Sequence, residues 1–218
     1  MNTAKLIFYS QPAEGFELPK ADLKNLVAYV ARVSNPSNQM NVETSDKLVN
    51  YLVNNKHWSP LEMISLTMEI TTTRDIARQL LRHRSFSFQE WSNRYANPIN
   101  DLGFEIREAR LQDTKNRQNS IQTEDKELSE LWQEKQQQVI HNAKEVYEWA
   151  VSNGVAKEQA RSVLPEGNTV SRLYMAGTLR SFLHYIDVRT DVSTQLEHRE
   201  LAESVKQEVN KVFNFLGA

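Results

Sequence analysis

The run Glu62-Met63-Ile64-Ser65-Leu66-Thr67-Met68-Glu69-Ile70-Thr71-Thr72-Thr73 passes without a turn residue into Arg74-Asp75-Ile76-Ala77-Arg78-Gln79-Leu80-Leu81-Arg82, and the apolar period changes at the join. In the first part Ile64, Leu66, Met68 and Ile70 alternate with Ser65, Thr67, Glu69 and Thr71. Side chains two apart share a strand face, so this alternation predicts a half-buried strand over residues 62–73. In the second part Ile76, Ala77, Leu80 and Leu81 recur at helical spacing, with Asp75, Arg78, Gln79 and Arg82 on the opposite side.

Upstream of this junction, Leu6, Ile7 and Phe8 before Gln11-Pro12 predict a strand at 5–10. Apolar residues at 23, 26, 27 and 30 predict a helix over 21–33, followed by the loop Asn35-Pro36-Ser37-Asn38. Leu48, Tyr51 and Leu52 predict another over 44–55, with Thr44 or Ser45 as its N-cap. His57-Trp58-Ser59-Pro60 ends it. Downstream, residues 106–125 are polar and lack an apolar period, which reads as an exposed insert. It is either a loop at the mouth of a site or a plain surface excursion. Helices are expected at 127–153, 157–163, 178–188 and 195–216, and a strand at 169–175. This order lacks regular βαβ alternation, so it predicts an α+β fold. The expected form is one domain over residues 1–218, an antiparallel or mixed sheet with long flanking helices.

The chain has 218 residues, a formal charge of -2, 39% hydrophobic and 25% charged residues. That length suits one domain with a real core. Its near-zero charge argues against bulk binding of nucleic acid, so an anionic ligand must be held by a local cluster of cations. Cysteine is absent, which rules out disulfides, thiolate metal sites and cysteine nucleophiles. The N-terminal apolar run is too short for a signal peptide and no stretch reaches the length of a membrane span, so a soluble, cytoplasmic protein is expected. His83, His141, His184 and His198 show no close ligand spacing, and no metal site is expected.

The chemistry concentrates in Arg82-His83-Arg84-Ser85-Phe86-Ser87-Phe88-Gln89-Glu90-Trp91-Ser92-Asn93-Arg94-Tyr95. Cations at a helix end are ordinary, because they interact favourably with the helix dipole. Here four aromatics surround them, with hydroxyl, amide and carboxylate groups interleaved. Cations, hydrogen-bonding groups and flat apolar faces together suit a phosphorylated, planar ligand. The same mix of aromatics and cations also suits single-stranded nucleic acid, a competing reading.

Arg-His-Arg, seven residues, Ser, any residue, Arg resembles the signature of flavin-dependent thymidylate synthases. His57-Trp58-Ser59-Pro60-Leu61-Glu62, Ala160-Arg161-Ser162-Val163-Leu164-Pro165 and Arg180-Ser181-Phe182-Leu183-His184-Tyr185, then Arg189, Gln195 and Glu197, resemble further segments of that family in the same order. The resemblance implies a homotetramer with active sites at subunit junctions. It implies FAD, NADPH and 5,10-methylenetetrahydrofolate as cofactors and co-substrate, and methylation of dUMP to dTMP.

Residue by residue, it implies that Gln79, Arg82, Glu90, Ser92, Asn93, Arg94, Arg161 and Arg189 bind dUMP, with Arg94 on the phosphate. It implies that Ser59, Glu62, Arg82, His83, Arg84, Glu90, Arg180 and His184 bind FAD; Arg82 could reach either ligand. Arg189 and His57 are implied in the chemistry. A fixed cation at Arg189 would stabilise negative charge developing on the uracil ring. Apart from the family, Gln79 reads as solvent-facing, Arg161 as a surface cation, Arg189 as a helix-end cation and His57 as a partly buried structural residue. Met63 and Ser193 stand where relatives carry histidine, and Asn93 replaces a frequent glycine, tolerable because Asn accepts a left-handed backbone. The first two departures motivate a third reading, an inactive relative. No GxGxxG loop is present, so a flavin must be held by side chains and subunit surfaces.

Overall fold

The computed structural model describes residues 2–214. The expected strand–helix junction is its centre. Strand β2 (Ser65–Thr73) lies between β1 (Thr3–Tyr9) and β6 (Val170–Thr178), and β3 (Phe86–Glu90) pairs with the other edge of β6. The order is β1-β2-β6-β3 and every pairing is antiparallel, so the fold is α+β with an antiparallel sheet. Leu66, Met68 and Ile70 are buried as their alternation requires; Thr67 on the other face is buried too.

Helices take off directly from both central strands. α3 (Arg74–Leu80) continues β2, and α7 (Leu179–Arg189) continues β6. Because β2 and β6 are antiparallel, the two helices begin at opposite ends of the sheet. Thr178 caps α7 by accepting from Ser181 N at 3.2 Å, and Leu179 N donates to Ile64 O at 2.7 Å. α1 (Leu23–Ala31), α2 (Ser45–Asn54), α7 and α8 (Leu196–Val212) supply the rest of the core, including Val27, Val49, Phe182, Leu201 and Val205.

α8 also closes the β1 edge. Ser204 Oγ accepts from Ala4 N at 2.9 Å and Glu208 Oε2 accepts from Leu6 N at 3.0 Å, so the edge donors are covered. A short helix α4 (Pro98–Asp101), a hairpin of β4 (Arg110–Gln112) and β5 (Ser120–Gln122), the long α5 (Lys126–Ser152) and α6 (Lys157–Ala160) complete the order. α5 buries Gln136, Ile140, Ala143, Tyr147 and Ala150, the last two in a second cluster with Ala160.

Several expectations change. β3 was not foreseen; Phe86-Ser87-Phe88-Gln89-Glu90 has strand alternation, masked by its basic neighbours. β6 runs three residues beyond 175, and β2 begins only after a 3-10 turn at Ser59–Met63. Residues 157–163 divide into α6 and a 3-10 turn, Arg161–Val163. Thr44 stands at the N-cap of α2 without capping it; its Oγ1 accepts from Arg32 instead, at 2.8 Å. α8 ends at Val212, and the expected residues 215–216 lie outside those described.

The insert 106–125 is also more than an excursion. It holds the β4–β5 hairpin, and its first turn is anchored. Arg107 Nη2 donates to Asp75 Oδ1 at 2.7 Å and Oδ2 at 2.9 Å, and Arg110 pairs with Glu197. The insert's cations thereby tie α3 to the start of α8. Asn93 does not need a left-handed backbone. Among the described residues Lys56 is the one non-glycine with positive φ.

Candidate active site

α3 ends at Leu80, and the chain turns through Arg82 and His83 before crossing to β3. The turn meets the C-terminal half of α7. His83 lies edge-on to Tyr185, ring centroids 5.3 Å apart, and its Nε2 accepts from Arg189 Nε at 3.0 Å. His83 is half-buried. Its pKa is pushed down to about 4, first by burial and then by the positive fields of Arg189, His184 and Arg82. The ring is therefore neutral at neutral pH and can accept from a guanidinium. Arg189 is held by a neutral acceptor and makes no ion pair with a carboxylate among the described residues, which leaves its charge available to a ligand.

Gln79, on the last turn of α3, sits in the same group. Its Nε2 donates to Gln195 Oε1 at 2.8 Å, and its Oε1 lies 3.3 Å from His198 Nδ1. His198 is fully buried, between Tyr185 and His83. Burial, then the Arg189 and His83 fields, pushes its pKa down to about 3. The structure thus brings together Gln79, Arg82, His83, His184 and Arg189. Sequence reading cited Gln195, Glu197 and Tyr185 only within family matches, considered His198 only as a metal ligand, and gave neither His198 nor Tyr185 a place in the site. Their spacing carries no motif, because the contacts depend on how α8 crosses α3 and α7.

A second group lies at the far end of β3. Ser92 O accepts from Tyr95 N and Ala96 N, a tight turn that leaves Arg94 and Tyr95 exposed. Arg94 lies over the Tyr95 ring at 5.9 Å. Lys157 Nζ donates to Tyr95 O at 3.0 Å, which brings the segment carrying Arg161 to this turn. Arg161 is exposed, and its Nε donates to Glu158 O at 3.3 Å.

Glu90 differs from the others. Its Oε1 accepts from Ser171 Oγ at 3.0 Å and lies 3.9 Å from Arg74 Nη1, so its carboxylate is already engaged within the protomer. A third group sits at the start of α7. Arg180 Nε is 3.8 Å from Glu62 Oε1, joining the helix to the turn that begins at Ser59, and exposed His184 lies one helical turn further on. His57 is exposed and edge-on to Tyr51 at 5.6 Å, not partly buried. No hydrogen bond or ring contact joins it to His83 or Arg189.

Arg82, Arg84 and Arg94 are exposed and make no ion pair among the described residues. Beside Arg94, Asn93 Oδ1 and Trp91 Nε1 are buried without a partner. Unpaired cations next to orphaned polar atoms fit phosphorylated ligands and a flavin dinucleotide, whose phosphates and ring edges would supply the missing partners.

The fold is shared with a UMP/dUMP methylase, PolB from Streptomyces cacaoi, solved with 5-Br UMP. The TM-score is 0.78 at 25% identity, covering 97% of this chain and 90% of that one. Residues 19–213 match the family model of thymidylate synthase complementing protein. A flavin-dependent thymidylate synthase of Synechocystis is 48% identical over 195 residues, covering 89% of this chain and 88% of the relative. A probable flavin-dependent thymidylate synthase of Paramecium bursaria Chlorella virus 1 is 43% identical over 212 residues, covering 97% and 95%. The chain belongs to the flavin-dependent thymidylate synthase family. It is an enzyme of methyltransferase type, and its family works with FAD.

Proposed function

We propose that this chain, folded as one domain, methylates dUMP to dTMP in a homotetramer, with 5,10-methylenetetrahydrofolate as carbon donor and NADPH as reductant. The observation that carries the reading is a half-buried Arg189 that neutral His83 holds and no carboxylate pairs, together with the exposed, unpaired guanidiniums of Arg82, Arg84 and Arg94 at the two ends of β3. Guanidiniums left without a carboxylate partner are free to hold an anionic ligand.

Arg94, Ser92 and Arg161 hold the nucleotide phosphate, because a guanidinium makes permanently charged, bidentate contacts there. Arg189 sits against the pyrimidine and stabilises negative charge gathering on the ring; Gln79 contacts the same nucleotide. Arg82, His83, Arg84, His184, Arg180, Glu62 and Ser59 would hold FAD, which when bound would supply the hydride that completes the methyl group. Glu90 and Asn93 act at the floor of the site, where Glu90 is fixed by Ser171 and Arg74. The chain has no cysteine, so activation rests on charge and hydride delivery rather than a thiolate adduct.

Two features support subunits meeting at the site. Of the FAD-side residues, Ser59, Glu62, Arg82, Arg84 and His184 are exposed on one protomer, where a neighbour could cover them. α5 carries Leu131, Trp132, Val139, Val146 and Trp149 beside its buried face, each 45% to 63% exposed. Trp132, Val139 and Val146 recur every seven residues, an apolar stripe wider than this protomer covers.

The test is flavin uptake and turnover together. Protein loaded with FAD is expected to show bound-flavin absorbance that shifts on adding dUMP, and to form dTMP with NADPH and methylenetetrahydrofolate. A protein that takes up no FAD, or whose flavin spectrum ignores dUMP, would refute the reading.

A further inference from the structure

We propose that Glu197 is a positioning residue: through Gln195 it locks the Gln79 amide so that Gln79 meets the nucleotide as a hydrogen-bond donor. The inference rests on Gln79 being a nucleotide contact and adds how that contact is set. A carboxylate only accepts. Gln195 Nε2 donates to Glu197 Oε2 at 2.9 Å, so the Gln195 carbonyl oxygen points away from Glu197. That oxygen accepts from Gln79 Nε2 at 2.8 Å. Gln79 Oε1 is then left facing His198 Nδ1 at 3.3 Å, and His198 must carry its proton on Nδ1. His198 Nε2 is buried with no partner, which agrees with a neutral ring protonated on the other nitrogen.

One fixed charge therefore decides the flip state of two amides and the tautomer of a histidine. Reversing either amide would set a carbonyl oxygen against a carboxylate or against another carbonyl. Glu197 is itself immobilised. It is buried, Arg110 from the 106–125 segment pairs with its Oε1, and Arg107 Nε lies 4.0 Å from the same oxygen. The valence left to Gln79 is the second hydrogen on Nε2, which suits an acceptor oxygen of the ligand. This also gives the insert a task, since its cation anchors the charged end of the chain.

The experiment measures dUMP affinity of the FAD-loaded full chain by calorimetry, for Gln79→Ala, Glu197→Gln and the double variant. Glu197→Gln removes the polarity, because an amide can donate as well as accept. Each single change is expected to weaken dUMP binding about tenfold, the order of one hydrogen bond to a ligand. The double variant is expected to bind no more weakly than Gln79→Ala alone, since coupled residues lose the same interaction once. FAD affinity should stay at the unmodified value in all three.

Multiplying losses, or an unchanged affinity in Glu197→Gln, would overturn the proposal. If Gln79→Ala itself leaves dUMP binding intact, the reading of Gln79 as a nucleotide contact fails, and the positioning role falls with it. Should Glu197→Gln not fold, the other end of the chain decides. His198→Asn, whose amide nitrogen can stand in for Nδ1, should keep dUMP affinity within about twofold, whereas His198→Leu should match Gln79→Ala. Equal effects of the two would overturn it.

Discussion

At Arg189, the guanidinium donates to a histidine that stays neutral because burial and three neighbouring cationic or titratable side chains hold its pKa near 4. A charged carboxylate in that place would have neutralised the arginine and blunted the pull on a developing anion that we propose for it. The expected outcome for Arg189→Ala is a fall in kcat of about 100-fold or more, because the lost interaction belongs to the transition state. FAD content should be unchanged, and chemical-quench rates measured beside flavin stoichiometry check both. The same two histidines set a pH dependence. An unfolded histidine titrates near 6.5, while His83 and His198 titrate near 4 and 3 when folded. Between those values the unfolded chain binds protons that the folded one refuses, so stability falls as pH drops below 6.5. Thermal melting across that window should show a Tm that declines toward acid, and His198→Asn should flatten the decline.

Among the elements, β3 joins the Arg82–Arg84 turn to the Ser92–Arg94 turn, and its register depends on one glycine. Phe86 lies opposite Gly177, and a Cβ on Gly177 would fall 2.4 Å from Phe86 Cδ1. The ring cannot slide easily, since it is wedged against Phe182 at 4.9 Å and Tyr185 at 6.1 Å. Gly177→Ala is expected to cost about 1–3 kcal/mol, the range for overpacking a core. It should also weaken dUMP binding as β3 shifts; chemical denaturation and calorimetry read the two effects. The element scale also shows where sequence reading reached. The 62–82 junction was legible because each half has one period and one buried face. β3 was not, since its Phe-Ser-Phe alternation covers only five residues between strongly polar ones. The Arg-His-Arg and Ser-x-Arg positions were legible as a cluster of charges. Gln195, Glu197 and His198 were legible only as family matches or not at all, because a helix crossing, which no local period encodes, brings them to Gln79. The anchoring of Arg107 to Asp75 was hidden for the same reason.

For the molecule as a whole, the proposed assembly completes at subunit junctions a site that one protomer leaves open. The protomer's cations face outward, and the apolar stripe along α5 exceeds what its own core covers. Light scattering should give a mass near four times 25.3 kDa. Trp132→Glu combined with Val139→Glu should yield smaller species that lose flavin and dUMP binding together. A monomer that keeps full activity would detach the oligomer from the site. No described helix is long and apolar enough to cross a membrane. The central claim is that these side chains bring a pyrimidine monophosphate and a flavin together for methyl transfer. A single-turnover experiment tests it most directly: FAD-loaded protein is reduced, mixed with dUMP and methylenetetrahydrofolate without oxygen, quenched, and assayed for dTMP against flavin oxidation. The account predicts dTMP appearing in step with oxidised flavin, and almost none from Arg189→Ala. Flavin that oxidises without dTMP, or dTMP that forms equally well without flavin, would contradict it.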